Sequence, residues 1–180
     1  MSFQADYFSS VYPWYCGLSD WFRARRMAAC VELVGLQPGM CIVDVGGTPM
    51  FWADYPQYRV ACVNIVPFPS HQPHVISVLY DGRRLPFAEK SAVVFANSVI
   101  EHVPDQAAFA REIERVATGY WVQAPYYWFP WEPHARCPGF QFLPTPVRRW
   151  LARVWPWVLP PREELDTICL PTVRDFSRIF

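Results

Sequence analysis

CIVDVGGTPMFW, residues 41–52, decides how the rest of the chain is read. Residues 41–45 are apolar except for Asp44, as in a strand buried on both faces of a parallel sheet. Gly46-Gly47-Thr48-Pro49 then turns the chain, because glycine takes dihedrals other residues avoid and lets a backbone approach a ligand closely. Residues 51–55 have room for one helical turn. In doubly wound sheets, ligands bind outside the carboxyl ends of the strands. An acid and two glycines at a strand end are therefore a candidate nucleotide-like site, although many strand ends use a glycine pair for turning alone.

Four more apolar runs follow, at residues 60–66 (VACVNIV), 74–79, 92–96 (AVVFA) and 119–124. A loop with Pro67, Pro69 and Pro73 follows the second run, and Asp81-Gly82 turns the chain into a loop over 83–90. Residues 103–117 read as an amphipathic helix, with Phe109, Ile113 and Val116 on one face and Arg111, Glu112, Glu114 and Arg115 elsewhere. Upstream, residues 20–36 have helical spacing, with Asp20 as N-cap and Gln37-Pro38-Gly39 as the stop. Strands separated by helices or loops predict an open α/β sheet with parallel strands. From Pro125 onward the chain is rich in proline and tryptophan. It carries helices over 145–155 and from 172 to the end, and no strand pattern. Length favours a single domain over 1–180: a helical segment 1–40, a core 41–125 and an aromatic tail 126–180.

The 16 basic and 16 acidic residues balance, so bulk attraction to nucleic acid or an anionic membrane is not expected. Neutrality also argues against nucleic-acid stacking by Trp150, Trp155 and Trp157 beside Arg148, Arg149 and Arg153. The N-terminus is not a signal peptide. No apolar run has membrane-spanning length, and prolines cut short RRWLARVWPWVLPP, the nearest approach to a membrane-surface helix. Six cysteines without paired spacing point to a reducing, cytoplasmic setting. His71 and His74 lack the companions a metal site needs, so no metal is expected.

Polar and glycine residues collect at the predicted strand ends: Asp44, Gly46, Gly47 and Thr48; then Asn64; then Asp81 and Gly82; then Asn97, Ser98, Glu101 and His102. DVGG, DGRRLPFAEKS and NSVIEHV occur in that order at compact spacing. On these pieces, and on the looser QAPYYWFPWEPH, the chain resembles the class I S-adenosylmethionine-dependent methyltransferases, in particular the UbiE-like small-molecule group. The resemblance implies a Rossmann-like, mostly parallel sheet of order 3-2-1-4-5, S-adenosylmethionine as cofactor and a small-molecule acceptor. It puts Asp44, Gly46 and Gly47 at the methionine end, with Thr48 among the cofactor-binding residues, Asn64 at the ribose, and Asp81 on the adenine amino group with Gly82 and Arg83 beside the ring. Asn97 and Ser98 would face cofactor and acceptor, with Glu101 and His102 near the acceptor. If the acceptor must lose a proton, His102 is the first candidate base and His134 the second.

The chain departs from the family pattern in four places. Thr48 and Pro49 stand where another glycine is usual, and Asn64 stands where an acid commonly takes the ribose hydroxyls. Ser91-Ala92-Val93-Val94 lacks the customary aspartate. No residues follow the last helix to supply the family's closing strand pair. The fifth strand is then expected to be an exposed edge, or to be covered by the aromatic tail or a partner chain, and the chain either to be truncated or to self-associate through this edge, as a homodimer. The tract PYYWFPWEPHARCPGF reads equally as a substrate lid or as a plug. A second reading is therefore an inactive methyltransferase-fold protein acting as a binding or assembly partner. A nicotinamide-dependent oxidoreductase would need a fuller glycine motif and an acid after the second strand.

Overall fold

The computed structural model describes residues 13–155 and 168–180. Expectations for the first twelve residues and for Trp157 lie outside them. The first helix, α1, spans Pro13–Val34. It starts well before the expected Asp20, which lies inside the helix and not at its cap. Proline is tolerated in a first helical turn, and residues 14–19 contain no breaker stronger than Gly17.

Five strands form one sheet: β1 (Cys41–Val45), β2 (Arg59–Asn64), β3 (Val75–Leu79), β4 (Ala92–Asn97) and β5 (Ala117–Gln123). Their order is 3-2-1-4-5, as expected. Every pairing is parallel, with Asp44 opposite both Cys62 and Phe95. β2 stops at Asn64, two residues short of the expected end. Its pairing with β3 runs out at Asn64 opposite Leu79, and Ile65 beyond it is 65% exposed. β5 starts two residues early, with a register shift between Ala92 and Val93. Among the described residues, no strand pairs with the outer edge of β5.

Alternation along the strands sends Val43, Val45, Val63, Val94 and Ala96 into one core, where Phe109, Ile113 and Val116 of helix α2 (Gln106–Val116) meet them. Asp105 caps α2 by accepting from the Ala108 amide, which places the helix start three residues after the expected one. Asp44 and Phe95, of opposite parity, meet Trp52. This side chain is fully buried on a 3-10 turn, Pro49–Asp54, that replaces the single helical turn expected there.

Contacts divide the chain into two compact units, Val34–Tyr126 with Cys169–Phe180, and Met1–Leu33 with Tyr127–Ile168. The first holds the sheet. In it, helix α4 (Val173–Ile179) opens with a reciprocal capping box between Thr172 and Asp175. It packs Phe176, Ile179 and Phe180 on the core, and the Phe180 ring lies 5.3 Å from that of Tyr120 on β5. The second unit corrects the expectation of a tail without strands. β6 (Trp131–Glu132) and β7 (Cys137–Pro138) pair antiparallel. Two-residue strands are too short to show an alternation. Helix α3 (Thr145–Val154) adds Ala152 to a small cluster with Ala135 and Phe140. No described helix is long and apolar enough to cross a membrane.

Ile113 is fully buried at the centre of the main core. Ile113→Ala should cost about 2–5 kcal/mol, read as a lower urea midpoint at unchanged slope.

Candidate functional site

The parallel sheet brings the loops after β1, β2, β3 and β4 to one edge, as the sequence implied. The loop after β1 is built on a buried carboxylate. Asp44 is 2% exposed and its Oδ2 accepts from the Trp52 indole Nε1–H at 2.6 Å. Burial pushes its pKa up to about 7, and the Trp52 hydrogen bond offsets only part of that. The Asp44 carboxylate fills the space beside Gly47, where a Cβ would sit 1.7 Å from Oδ2. Gly46 has φ +74°, and a Cβ there would meet Val99 Cγ2 at 2.5 Å. Both glycines are thus required by the protein's own packing. Thr48 is exposed and makes no side-chain cap to the 3-10 turn.

Asn64, at the end of β2, explains its own departure from an acid. Its Nδ2 donates to the Gly46 carbonyl at 3.1 Å and lies 3.4 Å from that of Gly47, while Oδ1 accepts from the Ile65 amide at 2.8 Å. A carboxylate could only accept, and would face those carbonyls with like polarity. Asn64 is therefore a clamp on the glycine loop.

A cleft of about 360 Å³ opens beside this loop. Gly47, Asn64, Phe68 and Leu79 are among its walls, and the walls are mostly apolar. Its lining ends at Leu79, two residues before Asp81. Asp81 is exposed; its Oδ1 accepts from the Arg83 amide at 2.9 Å and the Arg84 amide at 3.4 Å, which holds its carboxyl below the usual range. Gly82 has φ +78° in that turn, and the Arg83 side chain is exposed.

The turn is anchored by residues that sequence reading assigned only to the polar side of α2. Glu112 and Arg115 pair at 2.8 Å. The Glu112 carboxylate accepts from the Leu85 amide, while Arg115 donates to the Leu85 and Phe87 carbonyls at 3.0 and 2.9 Å. Leu-Pro-Phe is thus held by its backbone from a neighbouring helix.

After β4, Asn97 Oδ1 is buried with no hydrogen-bond partner among the described residues. Ser98 has φ +58°, uncommon for a residue with a side chain, and its amide donates to Gln123 of β5. Glu101 and His102 lie on a 3-10 turn, Ile100–His102, ahead of α2. Glu101 is fully buried and His102 is exposed. His134 belongs to the other unit. There its Nδ1 lies 2.7 Å from Oε1 of Glu132, which is 4% exposed and accepts from the Ala135 amide through Oε2. His74, considered above for a metal, bonds the Trp52 carbonyl through Nε2 at 2.9 Å.

Residues 47–119 match the methyltransferase domain family. Solved structures share the fold at low identity. One is the complex of the Haloferax volcanii Trm112 methyltransferase activator with a methyltransferase (TM-score 0.57, 13% identity, covering 86% of this chain and 65% of that one). A second is a methyltransferase from an antibiotic biosynthesis pathway of Anabaena variabilis (TM-score 0.53, 15% identity, 80% and 59%). A third is Haemonchus contortus phosphoethanolamine N-methyltransferase 2 in complex with S-adenosyl-L-methionine (TM-score 0.57, 14% identity, 86% and 35%). This chain therefore spans between about a third and two thirds of the length of these relatives. No curated protein sequence matches it. Residues 47–119 thus carry the match to the methyltransferase domain family, and the sheet shares the fold of these solved methyltransferases.

The raised pKa of Asp44 means that folding favours its protonated form. Its contribution to stability is complete below the ordinary value of 3.8 and is lost as pH rises to about 7. Against Asp44→Asn, the wild type should lose roughly 4 kcal/mol between pH 4 and 7 and then level off, measured by urea unfolding at each pH. Asn64→Asp should destabilise the fold by about 1–3 kcal/mol by removing both donations and placing a carboxylate beside two carbonyls, read in the same experiment at pH 8.

Proposed function

We propose that the chain binds S-adenosylmethionine at the carboxyl edge of the sheet and serves methyl transfer to a small-molecule acceptor. The observation that carries this reading is the cleft between Gly47, Asn64 and the loop over residues 66–69. Its volume and apolar walls suit an adenosine group, which would cover the exposed side chains of Val66, Phe68 and Leu79. The orphaned Asn97 Oδ1 is an acceptor that a bound amino or hydroxyl group would satisfy. Asp81 already has Oδ1 occupied by its turn, which leaves Oδ2 to accept from the adenine amino group. Asn64 can reach a ribose hydroxyl only by sharing its loop bonds, so we expect it to act on the cofactor mainly through the loop.

When bound, the cofactor supplies an electrophilic methyl group on a sulfonium. The chain's own residues then have to hold the acceptor in line and exclude water. A base is needed only if the acceptor must lose a proton. His102 remains the first candidate by its place after β4. His134 has a carboxylate partner in the buried Glu132, which orients its ring. Glu101, fully buried, is proposed as a support for the turn that carries His102. The five free cysteines among the described residues suit a reducing, cytoplasmic setting.

A second reading, an inactive chain that assembles with a partner, is favoured by one observation. Gly46 and Gly47 are both explained by Val99 and Asp44 without any ligand. The outer edge of β5 would then be where a second copy or another strand docks. Calorimetric titration with S-adenosylhomocysteine separates the two. The enzyme reading expects micromolar binding that weakens at least tenfold in Asp81→Ala. A folded chain that takes up no ligand would leave the assembly reading.

A further inference from the structure

The proline and aromatics after the glycine pair, TPMFW, are not needed for a turn, and the structure gives them a use. Pro49 and Trp52 are buried on the 3-10 turn, and Trp52 is packed on several sides. Its ring lies 5.4 Å from that of Phe95 on β4, 5.9 Å from Tyr55 and 6.4 Å from Tyr58. Its carbonyl takes the bond from His74. A side chain held in this way can impose a position on what it touches, and its one polar atom touches Asp44.

We propose that Trp52 is a positioning residue for cofactor binding: its indole N–H holds the Asp44 carboxylate beneath Gly47, and so fixes both the loop backbone and the negative charge that the cofactor's amino-acid end meets. The inference rests on the cofactor reading above. An indole is a neutral donor. It orients a carboxylate without cancelling its charge, where an arginine or lysine would neutralise it. The groups around Asp44 leave that charge uncompensated. Cys62, opposite it on β2, is pushed up to about 12 by burial and by Asp44 itself, and so stays a neutral thiol. Phe95, opposite it on β4, does not ionise. Tyr55, Tyr58 and His74 meet Trp52, and it is the Trp52 indole that bonds the carboxylate. No described cation bonds Asp44. A lone buried negative charge under a loop favours a ligand that brings an ammonium group there. The carboxylate occupies the space beside the Gly47 Cα, so a side chain at Gly47 would displace it.

The test is the pH dependence of S-adenosylhomocysteine affinity between pH 6 and 8.5 in the full chain, with adenosine, which lacks the amino-acid end, as control. In the wild type the dissociation constant for S-adenosylhomocysteine should rise as pH falls below about 7, approaching tenfold per unit, while that for adenosine stays level. Trp52→Phe keeps most of the ring volume but loses the donor that favours the ionised acid. Its profile should move to higher pH, weakening binding several-fold near pH 7.5 and less at pH 8.5. Asp44→Asn, which can still accept from the indole, should give a flat profile. Equal weakening at every pH in Trp52→Phe, or an unchanged profile in Asp44→Asn, overturns the positioning role while leaving the cofactor reading intact. If Trp52→Phe does not fold, the Asp44→Asn profile decides alone. Absence of wild-type binding at any pH removes both.

Discussion

A carboxylate buried against an indole is the constraint from which the rest of the site follows. Asp44 lies in the middle of a parallel sheet, where an ionised group is costly unless it is hydrogen-bonded. The Trp52 indole supplies that bond. To reach it, the chain after β1 must fold back at once, which the 3-10 turn after Thr48 does. Gly47 must then lack a side chain, because the carboxylate stands in its place. Asn64 must be an amide and not an acid, because the loop's carbonyls need a donor. The aromatic run, Pro49 and Asn64 are thus each accounted for by the packing of this one loop.

The same economy holds one strand further on. The Leu-Pro-Phe segment presents carbonyls and an amide that would otherwise lie unpaired near the sheet edge, a loss of free energy for each buried group. Glu112 and Arg115 of α2 take them, as an ion pair with a backbone between its members. The Asp81 turn sits at the start of this anchored stretch. Its geometry is therefore set from α2 as well as from β3. The outer edge of β5 has no such partner among the described residues; the aromatic rings of α4 gather beside it.

By itself the sequence determined the sheet, its order through the motif resemblance, and the edge where polar residues gather. Those features are local: strand hydrophobicity, breakers such as Gln37-Pro38-Gly39, and motifs read within a few residues of one another. Boundaries moved where pairing, not composition, ends a strand, as at Asn64, and where a cap outweighs hydrophobic spacing, as at Asp105. The hairpin of β6 and β7 was illegible because two residues carry no period. Tertiary structure alone decided what the site residues do. Nothing in the chain says that Trp52 bonds Asp44, that Asn64 donates to Gly46, that Glu132 orients His134, or that Arg115 reaches back to Leu85. Sequence spacing specifies which side chains are available. Which donor meets which acceptor is settled only when strands and helices pack, because an unpaired buried polar group then takes whatever partner the packing brings within reach.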